Sequence, residues 1–355
     1  MMRRQAVLIA LLLSIPAAAQ STGEVRIGIL SLFHPKQMVL EPASSQAVLV
    51  SAAGAAPFVL NDEADHQSLT FRLDHDLVLA GNLSAPSWSA TARDAGPAAF
   101  RLIIPGKIRR VYQGRLTVLA RGGDLVLIVA MDRETAVRSI VAAESVPHAP
   151  MEALRAQAVV TRSFLVAGPR HTGFDFCDTT HCQFLRSPPP AGSPVSRAVA
   201  ATRGLVLVWH GKPLAALYSS RCGGRTRSLR DIGMDPSDGY PYFAVRCAYC
   251  LRHPVRWQSS IDGNASSPEP GNERKRIAAA RQWGWSAVPG SQFTVDRDHD
   301  QWLLEGHSIG HGVGLCQYGA AGMAASGASF REILRHYYPN TDIVAWNRDD
   351  AGSAR

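Results

Sequence analysis

The chain contains 355 residues, of which 46% are hydrophobic, and it carries a formal net charge of +8. This length can hold one large domain or two ordinary ones with an ample core, and the apolar content is typical of a globular protein. The positive charge favours an anionic partner. No basic-aromatic cluster or nucleic-acid-binding motif is present, which argues against nucleic acid as that partner.

The N-terminus has the three parts of a secretory signal. Two arginines, Arg3 and Arg4, precede an apolar run that ends in the small residues Ala17 and Ala19, so we expect a signal peptide over residues 1–19. The run is too short to span a bilayer comfortably, although an uncleaved anchor is the alternative. No later stretch is long and apolar enough for a membrane helix. We therefore expect an exported protein of the periplasm or cell envelope, whose charge falls from +8 to +6 with the two arginines removed.

Residues 20–124 are predicted to be rich in β-strands. Short β-branched or alternating runs are separated by Gly, Pro, Asn and Asp, which is typical of strands and turns. These runs are Val25–Leu32, Ala47–Val50, Thr70–Leu73, Leu77–Ala80, Phe100–Ile104 and Leu116–Ala120. No catalytic constellation occurs among them, so we interpret this region as a packing or docking domain.

The pattern becomes helical after Asp132, which is a candidate N-cap. The first helix is predicted to end before Pro147, and a second helix, apolar on most faces, runs from about Met151 to Val166. Later, a hairpin is predicted over 205–218 and a polar insertion over 263–274, followed by a short helix. A glycine-rich turn at 310–316 then precedes a helix from Gln317.

These elements predict an α+β protein. Its β-rich N-terminal region, 20–124, is followed by a mixed domain of helices and hairpins over 125–345 and by a disordered tail over 346–355.

Glu144 is the candidate general acid. It follows Val137, Ile140 and Val141 at helical spacing, so its carboxyl lies on the apolar stripe at the end of the first helix. Burial and the negative end of the helix dipole both raise the pKa of a carboxyl, as a general acid requires. The alternative is a satisfied glutamate at a helix end. Glu152, in the first turn of the second helix, is the rival acid, although a capping role suits it better.

Arg155 and Arg162 are two turns apart on the second helix and therefore share one face. A buried arginine needs a carboxylate partner. One interpretation is that these arginines orient Glu144 and contact a substrate. The other is a purely structural ion pair.

The six cysteines allow either metal binding or disulfides. His171, Cys177 and Cys182 supply three ligands for a tetrahedral zinc ion, with water or substrate as the fourth. His181 is an alternative to His171, and a disulfide between Cys177 and Cys182 is the competing interpretation. For the remaining cysteines we expect disulfides, with Cys222 joined to Cys247 or Cys250, and a four-cysteine zinc site that includes Cys316 is the alternative.

Several segments together resemble one protein family, the stage II sporulation protein D family, which remodels bacterial peptidoglycan. The matching segments are Glu144-Ser-Val-Pro147, Glu152-Ala-Leu-Arg-Ala-Gln-Ala158, Thr161-Arg-Ser163, Cys177-Asp-Thr-Thr-His-Cys-Gln183, Tyr218-Ser-Ser-Arg-Cys-Gly-Gly224 and Gly310–Ala320. The resemblance extends from about Leu125 to Val344. It implies that Glu144 is the essential acid, although Ser145-Val146-Pro147 stands in place of the Met-Pro pair of the family. Some members of the family carry zinc in the segment that contains Cys177.

The resemblance also implies a groove for sugars on the glycine-rich side of the domain. Aromatic faces stack on pyranose rings, and amide and hydroxyl groups bond to sugar hydroxyls. The residues expected to line this groove are Gln157, Tyr218, Ser219, Ser220, Gly223, Gly224, His311, Gln317 and Tyr318. For each of them, loop packing is the competing interpretation.

The activity that the resemblance implies is lytic transglycosylation of peptidoglycan glycan strands, preferentially strands without stem peptides. A single carboxyl suffices for this reaction, and the motifs contain no obvious second catalytic carboxylate. Two other functions remain open: a non-catalytic wall-binding protein that enhances an amidase, and a zinc hydrolase that uses His171, Cys177 and Cys182.

Overall fold

The computed structural model describes residues 23–61, 67–235, 239–264 and 269–346. The predicted signal peptide at 1–19 and all but the first residue of the predicted tail lie outside these ranges. The described part is an α+β fold, as predicted, with a large sheet followed by helices and three small sheets. None of its helices is long and apolar enough to cross a membrane.

The first half of the chain consists of strands. Their bounds are β1 Glu24–Ile29, β2 Gln37–Pro42, β3 Val48–Ser51, β4 Phe58–Leu60, β5 Leu69–Asp74, β6 Leu77–Ala80, β7 Leu83–Ala85, β8 Ser87–Ala92, β9 Ala98–Ile104, β10 Ile108–Arg121 and β11 Asp124–Asp132. A short 3-10 helix, Ser31–Phe33, follows β1. Buried residues alternate with partly exposed ones along most of these strands, because successive side chains point to opposite faces of a sheet.

The second part of the chain, from Arg133 onward, contains all seven α-helices of the described residues. Its elements are α1 Arg133–Glu144, α2 Met151–Val166, β12 Phe176–Cys177, α3 Pro194–Ala201, β13 Leu205–Trp209, β14 Lys212–Pro213, β15 Tyr218–Ser219, α4 Ala248–Arg252, β16 Trp257–Asp262, α5 Glu273–Trp283, β17 Phe293–Asp298, β18 Gln301–Gly306, β19 Leu315–Cys316, α6 Gln317–Ala325, α7 Phe330–Tyr337 and β20 Asp342–Ala345. A second 3-10 helix covers Arg230–Ile232.

The long strand β10 connects the two parts of the large sheet. Its first half pairs with β9, and its second half lies between β8 and β11. The change of partner occurs at Gly114, where a Cβ atom would approach the carbonyl oxygen of Ala130 to 2.5 Å, so only glycine fits. The predicted domain boundary, between residues 124 and 125, falls at the start of β11, which belongs to the same sheet as β10.

The strand β1 connects the sheet to the helical part of the chain. It pairs with β11 in antiparallel fashion and with β12 in parallel fashion. The helix α1 follows β11 directly, and its N-cap is Asp132, whose carboxylate accepts the Thr135 N–H at 3.1 Å as predicted.

The helix α2 has the predicted bounds and is buried on most of its surface. Leu154, Ala158 and Leu165 pack into the core of the large sheet. The opposite side of α2, which includes Ala156 and Val160, packs into a second core with α6 and α7. This helix therefore holds the two halves of the protein together.

The predicted hairpin over 205–218 is only partly correct. The strands β13 and β14 form its base, and β20 pairs with the other edge of β13. The chain then leaves the hairpin, and Tyr218 pairs with Leu315 in the small parallel sheet of β15 and β19. The predicted helix after the insertion is α5, which begins at Glu273 and packs on the three-stranded sheet β16-β18-β17.

Candidate functional site

Glu144 is the last residue of α1, and its carboxyl is half-buried. Its Oε1 accepts the backbone N–H of Phe184 at 2.6 Å. Burial raises the pKa of this carboxyl, while the Phe184 N–H, the Tyr218 hydroxyl and the Arg186 guanidinium each act to lower it. The direction of the shift is the one that the helical spacing of Glu144 predicts.

Tyr218 faces the Glu144 carboxyl from β15. Its hydroxyl oxygen is buried and makes no hydrogen bond of normal geometry to any described residue. Burial raises the pKa of this phenol far above its usual range, and the negative charge of Glu144 adds to the shift. Tyr218 is thus a neutral O–H group beside the Glu144 carboxyl.

Other buried polar atoms also lack partners among the described residues. They include the Ser219 hydroxyl and both side-chain amide atoms of Gln183, which precedes Phe184 in the chain. Buried polar groups in folded proteins are normally hydrogen-bonded, so unpaired ones indicate the place of water or a ligand. Of the predicted groove residues, Tyr218 and Ser219 have this property.

Gln317 and Gln157 support the backbone at Glu144 from two other helices. The Gln317 side-chain amide donates to the Glu144 carbonyl oxygen at 2.7 Å and to Gln157 Oε1 at 3.4 Å. Both side chains are more than nine-tenths buried. Their contacts fix the end of α1 in place, and they are therefore positioning groups rather than open sugar-binding groups.

The glycine-rich segment folds back on β15. A Cβ atom on Gly314 would lie 2.0 Å from the Leu217 carbonyl oxygen, and the φ angle of this residue is 69°. His311 Nδ1 accepts the Val313 N–H at 3.0 Å, so its proton is on Nε2, and burial lowers the pKa of the ring. The neutral His311 imidazole is thus part of the glycine-rich loop that packs against β15, the strand that contains Tyr218.

Tyr318, Gly223 and Gly224, which were predicted to line a groove for sugars, make contacts within the protein. The Arg221 guanidinium lies 3.8 Å from the centre of the Tyr318 ring, and the Tyr318 N–H donates to the Ser220 carbonyl oxygen at 3.2 Å. Gly223 and Gly224 form a tight turn with φ angles of 72° and 110°. These contacts are those of loop packing, the competing interpretation.

Arg162 does not orient Glu144, in contrast to one of its two predicted roles. Its guanidinium is 1% exposed and makes a two-point ion pair with Glu134, with N···O distances of 2.7 Å at both oxygens. Arg155 pairs with Glu152 at 2.6 Å, and the second oxygen of Glu152 accepts the Phe330 N–H at 2.8 Å. The alternative of a structural ion pair therefore describes both arginines, and Glu152 caps α7 rather than its own helix.

The predicted metal ligands do come together, with one addition. His171, Cys177, Cys182 and also His181 have ligand atoms that all lie within 4.8 Å of one another. The distances from Cys182 Sγ to His171 Nε2 and His181 Nδ1 are 3.3 and 3.6 Å. A tetrahedral zinc ion would separate such N and S ligands by about 3.6 Å, so this donor set fits zinc. His181 joins His171 rather than replacing it.

The chain leads directly from this cluster to the residues that contact Glu144. Cys182 is followed by Gln183 and by Phe184, which binds the carboxyl, and Arg186 is the nearby cation. Neither Phe184 nor Arg186 was predicted from the sequence. A backbone donor has no signature in residue identity, although the proximity of both residues to the Cys-His segment was a usable signal.

All six cysteines are free thiols in the structure. The structure does not contain the predicted disulfide from Cys222 to Cys247 or Cys250, which therefore stays a prediction. These three sulfurs and that of Cys316 converge in one buried cluster, so no single pair is isolated from the others.

Comparison with known proteins relates the segment around Glu144 to a known family. The family model described as stage II sporulation protein matches residues 121–209, which include Glu144 and the four ligands around Cys177. This match supports the resemblance to the stage II sporulation protein D family that the motifs indicate. The match ends before Tyr218 and Gln317, which complete the surroundings of Glu144.

Relatives extend the family similarity over more of the chain. An uncharacterized protein of Brachyspira hyodysenteriae is 28% identical over 67% of this chain and 73% of its own length. Stage II sporulation protein D of Bacillus subtilis is 25% identical, covering 59% of this chain and 74% of the relative. A protein named amidase enhancer, also from Bacillus subtilis, is 24% identical, covering 55% of this chain but only 38% of the relative.

Proposed function

We propose that this protein is a lytic transglycosylase that cleaves the bond between MurNAc and GlcNAc in peptidoglycan glycan strands, with Glu144 as general acid and base. The observation that carries the proposal is the environment of Glu144. One carboxyl oxygen is held by the Phe184 N–H, the pKa of the carboxyl is raised, and the neutral Tyr218 hydroxyl interacts with it.

The reaction needs one carboxyl that changes its protonation state twice. Protonated Glu144 donates its proton to the glycosidic oxygen while the bond from that oxygen to MurNAc C1 breaks. The C6 hydroxyl of the same MurNAc then bonds to C1, and its proton returns to Glu144. The product is a 1,6-anhydro ring, and no water is consumed.

The neighbours of Glu144 suit this scheme better than hydrolysis with two carboxylates. Among the described residues, the groups that shift the pKa of Glu144 are a backbone amide, a phenol and a guanidinium. A glycosidase that activates water or forms a glycosyl-enzyme intermediate needs a second carboxyl within about 5–10 Å. Glu152 does not supply it, because both of its oxygens are bound to Arg155 and Phe330.

Zinc in the His171 cluster would have a structural role. With His171, Cys177, His181 and Cys182 all as ligands, the four tetrahedral positions would be filled by protein, whereas catalytic zinc keeps one position open. The ion would hold the loop that presents the Phe184 N–H to Glu144. A zinc ion bound by four protein ligands would have no position for water or substrate, which argues against the zinc-hydrolase hypothesis.

The second candidate function is that of a non-catalytic enhancer of a cell-wall amidase in the envelope. It is supported by the relative named amidase enhancer and by Ser145-Val146-Pro147 in place of the family's Met-Pro pair. In that case the groove would bind glycan without cleaving it.

Digestion of purified, peptide-free glycan in oxygen-18 water distinguishes these functions. We expect products with 1,6-anhydroMurNAc ends, lighter than reducing ends by one water and free of label. Glu144→Gln should lower the rate by on the order of 10² to 10⁴, while Glu152→Gln, the matched control, should retain activity once corrected for folded protein.

Other results would contradict the proposal in different ways. Labelled reducing ends would indicate a hydrolase that uses the same acid. The absence of products from verified strands, together with a higher rate of an added amidase, would indicate the enhancer.

A further inference from the structure

Four cysteines outside the His171 cluster form a second group of thiols. Cys222 follows β15, Cys247 and Cys250 flank the first turn of α4, and Cys316 ends β19. Each of the four is at most 3% exposed, and their sulfurs all lie within 4.8 Å of one another. Three segments that are far apart in the sequence thus place their four thiols at one buried point.

The spacing of these sulfurs matches a shared metal ion. With Zn–S bonds of about 2.3 Å, the edges of a tetrahedron of sulfurs are about 3.8 Å long. Cys250 Sγ and Cys316 Sγ are 3.6 Å apart. A disulfide would draw two sulfurs to about 2.05 Å and would not require the other two to be equally close.

The local backbone has features that suit thiolate ligands. Cys247 and Cys250 have the C-x-x-C spacing of zinc sites, with the intervening residues at the start of a helix. Cys222 is followed by Gly223 and Gly224, whose positive φ angles turn the chain sharply behind the sulfur. Because the backbone turns away after Cys222, it does not occupy the space beside the sulfur where a metal ion would bind.

Hydrogen-bond donors also point at the sulfurs. The Gly319 N–H donates to Cys316 Sγ at 3.4 Å, and the Tyr337 hydroxyl donates to Cys247 Sγ at 3.5 Å. A Cβ atom on Gly319 would lie 2.6 Å from Cys247 Sγ, so glycine leaves room for the cluster. Donors of this kind stabilise the negative charge of a thiolate and orient metal ligands.

We propose that Cys222, Cys247, Cys250 and Cys316 bind one zinc ion in a closed tetrathiolate site, separate from the His171 cluster. On binding, each thiol releases one proton to solvent, so four thiolates and Zn²⁺ leave a net charge of −2. Arg246 lines the pocket beside Cys247 and provides nearby positive charge.

A metal ion at this site would cross-link β15 and β19, the strands next to the residues around Glu144. Cys316 precedes Gln317, which holds the Glu144 carbonyl oxygen, and it pairs with Ser219 beside Tyr218. The strands β15 and β19 are only two residues long each, too short to fix their own register firmly. A tetrathiolate ion would supply the cross-link that these short strands lack.

Metal analysis of the purified full-length protein tests the proposal without reference to glycan cleavage. Wild-type protein should contain two zinc ions per chain. The double variant Cys177→Ser/Cys182→Ser should retain one, and Cys247→Ser/Cys250→Ser should lose the other. Zinc X-ray absorption on the Cys177→Ser/Cys182→Ser variant should show four sulfur neighbours at about 2.3 Å. This last measurement keeps the four proposed ligands intact, so it does not depend on whether their variants fold.

Three results would overturn the proposal. The first is an intact mass four hydrogens lower than that of the fully reduced chain, with Cys222, Cys247, Cys250 and Cys316 blocked to alkylation until a reductant is added; it would show two disulfides. The second is metal-free protein in which all four thiols react. The third is iron rather than zinc in freshly purified protein.

Discussion

Replacement of Arg162 tests whether this residue stabilises the fold or takes part in catalysis. The guanidinium is 1% exposed, binds both oxygens of Glu134 at 2.7 Å and donates to the Leu205 carbonyl oxygen at 3.1 Å. Arg162→Met leaves the Glu134 carboxylate without its partner, which for a buried pair costs about 3–5 kcal/mol. Glu134 keeps 15% of its side-chain surface exposed, so we expect the lower end, about 3 kcal/mol.

Urea unfolding followed by tryptophan fluorescence measures this loss. With a slope of about 3 kcal/mol per molar urea, the midpoint should fall by about 1 M. The matched control is the double variant Arg162→Met/Glu134→Met, which removes both charges together. It should regain at least half of the lost stability, since replacing a whole buried pair by apolar side chains is often nearly neutral. Full recovery is not expected, because the Leu205 carbonyl oxygen also loses a donor.

The double variant should also cleave glycan normally per folded molecule, because the Arg162 guanidinium binds Glu134 and not Glu144. A single Arg162→Met variant with the wild-type midpoint and no activity would refute this reasoning and return Arg162 to the catalytic groups.

Two further predictions concern pH and the glycine-rich loop. Because Glu144 must be protonated to act as an acid and burial raises its pKa, the cleavage rate should fall as pH rises through that pKa. Tyr218 lowers the pKa of Glu144, so a pH–rate profile of Tyr218→Phe should show this fall at higher pH, and an unmoved profile would contradict the contact. Gly314→Ala should lower the free energy of unfolding by roughly 3 kcal/mol or more, because its Cβ would meet the Leu217 carbonyl oxygen. Gly327→Ala, where φ is 91° and nothing lies within 4 Å of the added Cβ, should cost only about 1–2 kcal/mol of backbone strain, and equal losses in the two variants would argue against the clash.

Sequence patterns predicted the parts of this fold that depend on local signals. The N-cap at Asp132, the bounds of α2 and the start of α6 at Gln317 follow from capping residues, apolar periodicity and glycine, which act within a few residues. The same local spacing predicted that Glu144 would be buried at a helix end.

Long-range pairing accounts for most of what the sequence analysis missed. The hairpin prediction extended to Tyr218 because the partner of that residue, Leu315, is almost one hundred residues away in the chain. The contact of Phe184 with Glu144 uses a backbone N–H, which every residue except proline has. Whether four cysteines form pairs or one cluster depends on where α4 and β19 meet, and spacing alone does not specify this.

The position of β1 between β11 and β12 has a consequence for how this protein can be divided. Its residues are among the first of the described chain. They pair on one edge with β11, which leads to α1, and on the other edge with β12, which contains Cys177. A gene fragment that started at residue 125 would encode Glu144 but would leave both strands with an open edge. The N-terminal strands and the residues around Glu144 should therefore be inherited, exchanged and engineered as a single module.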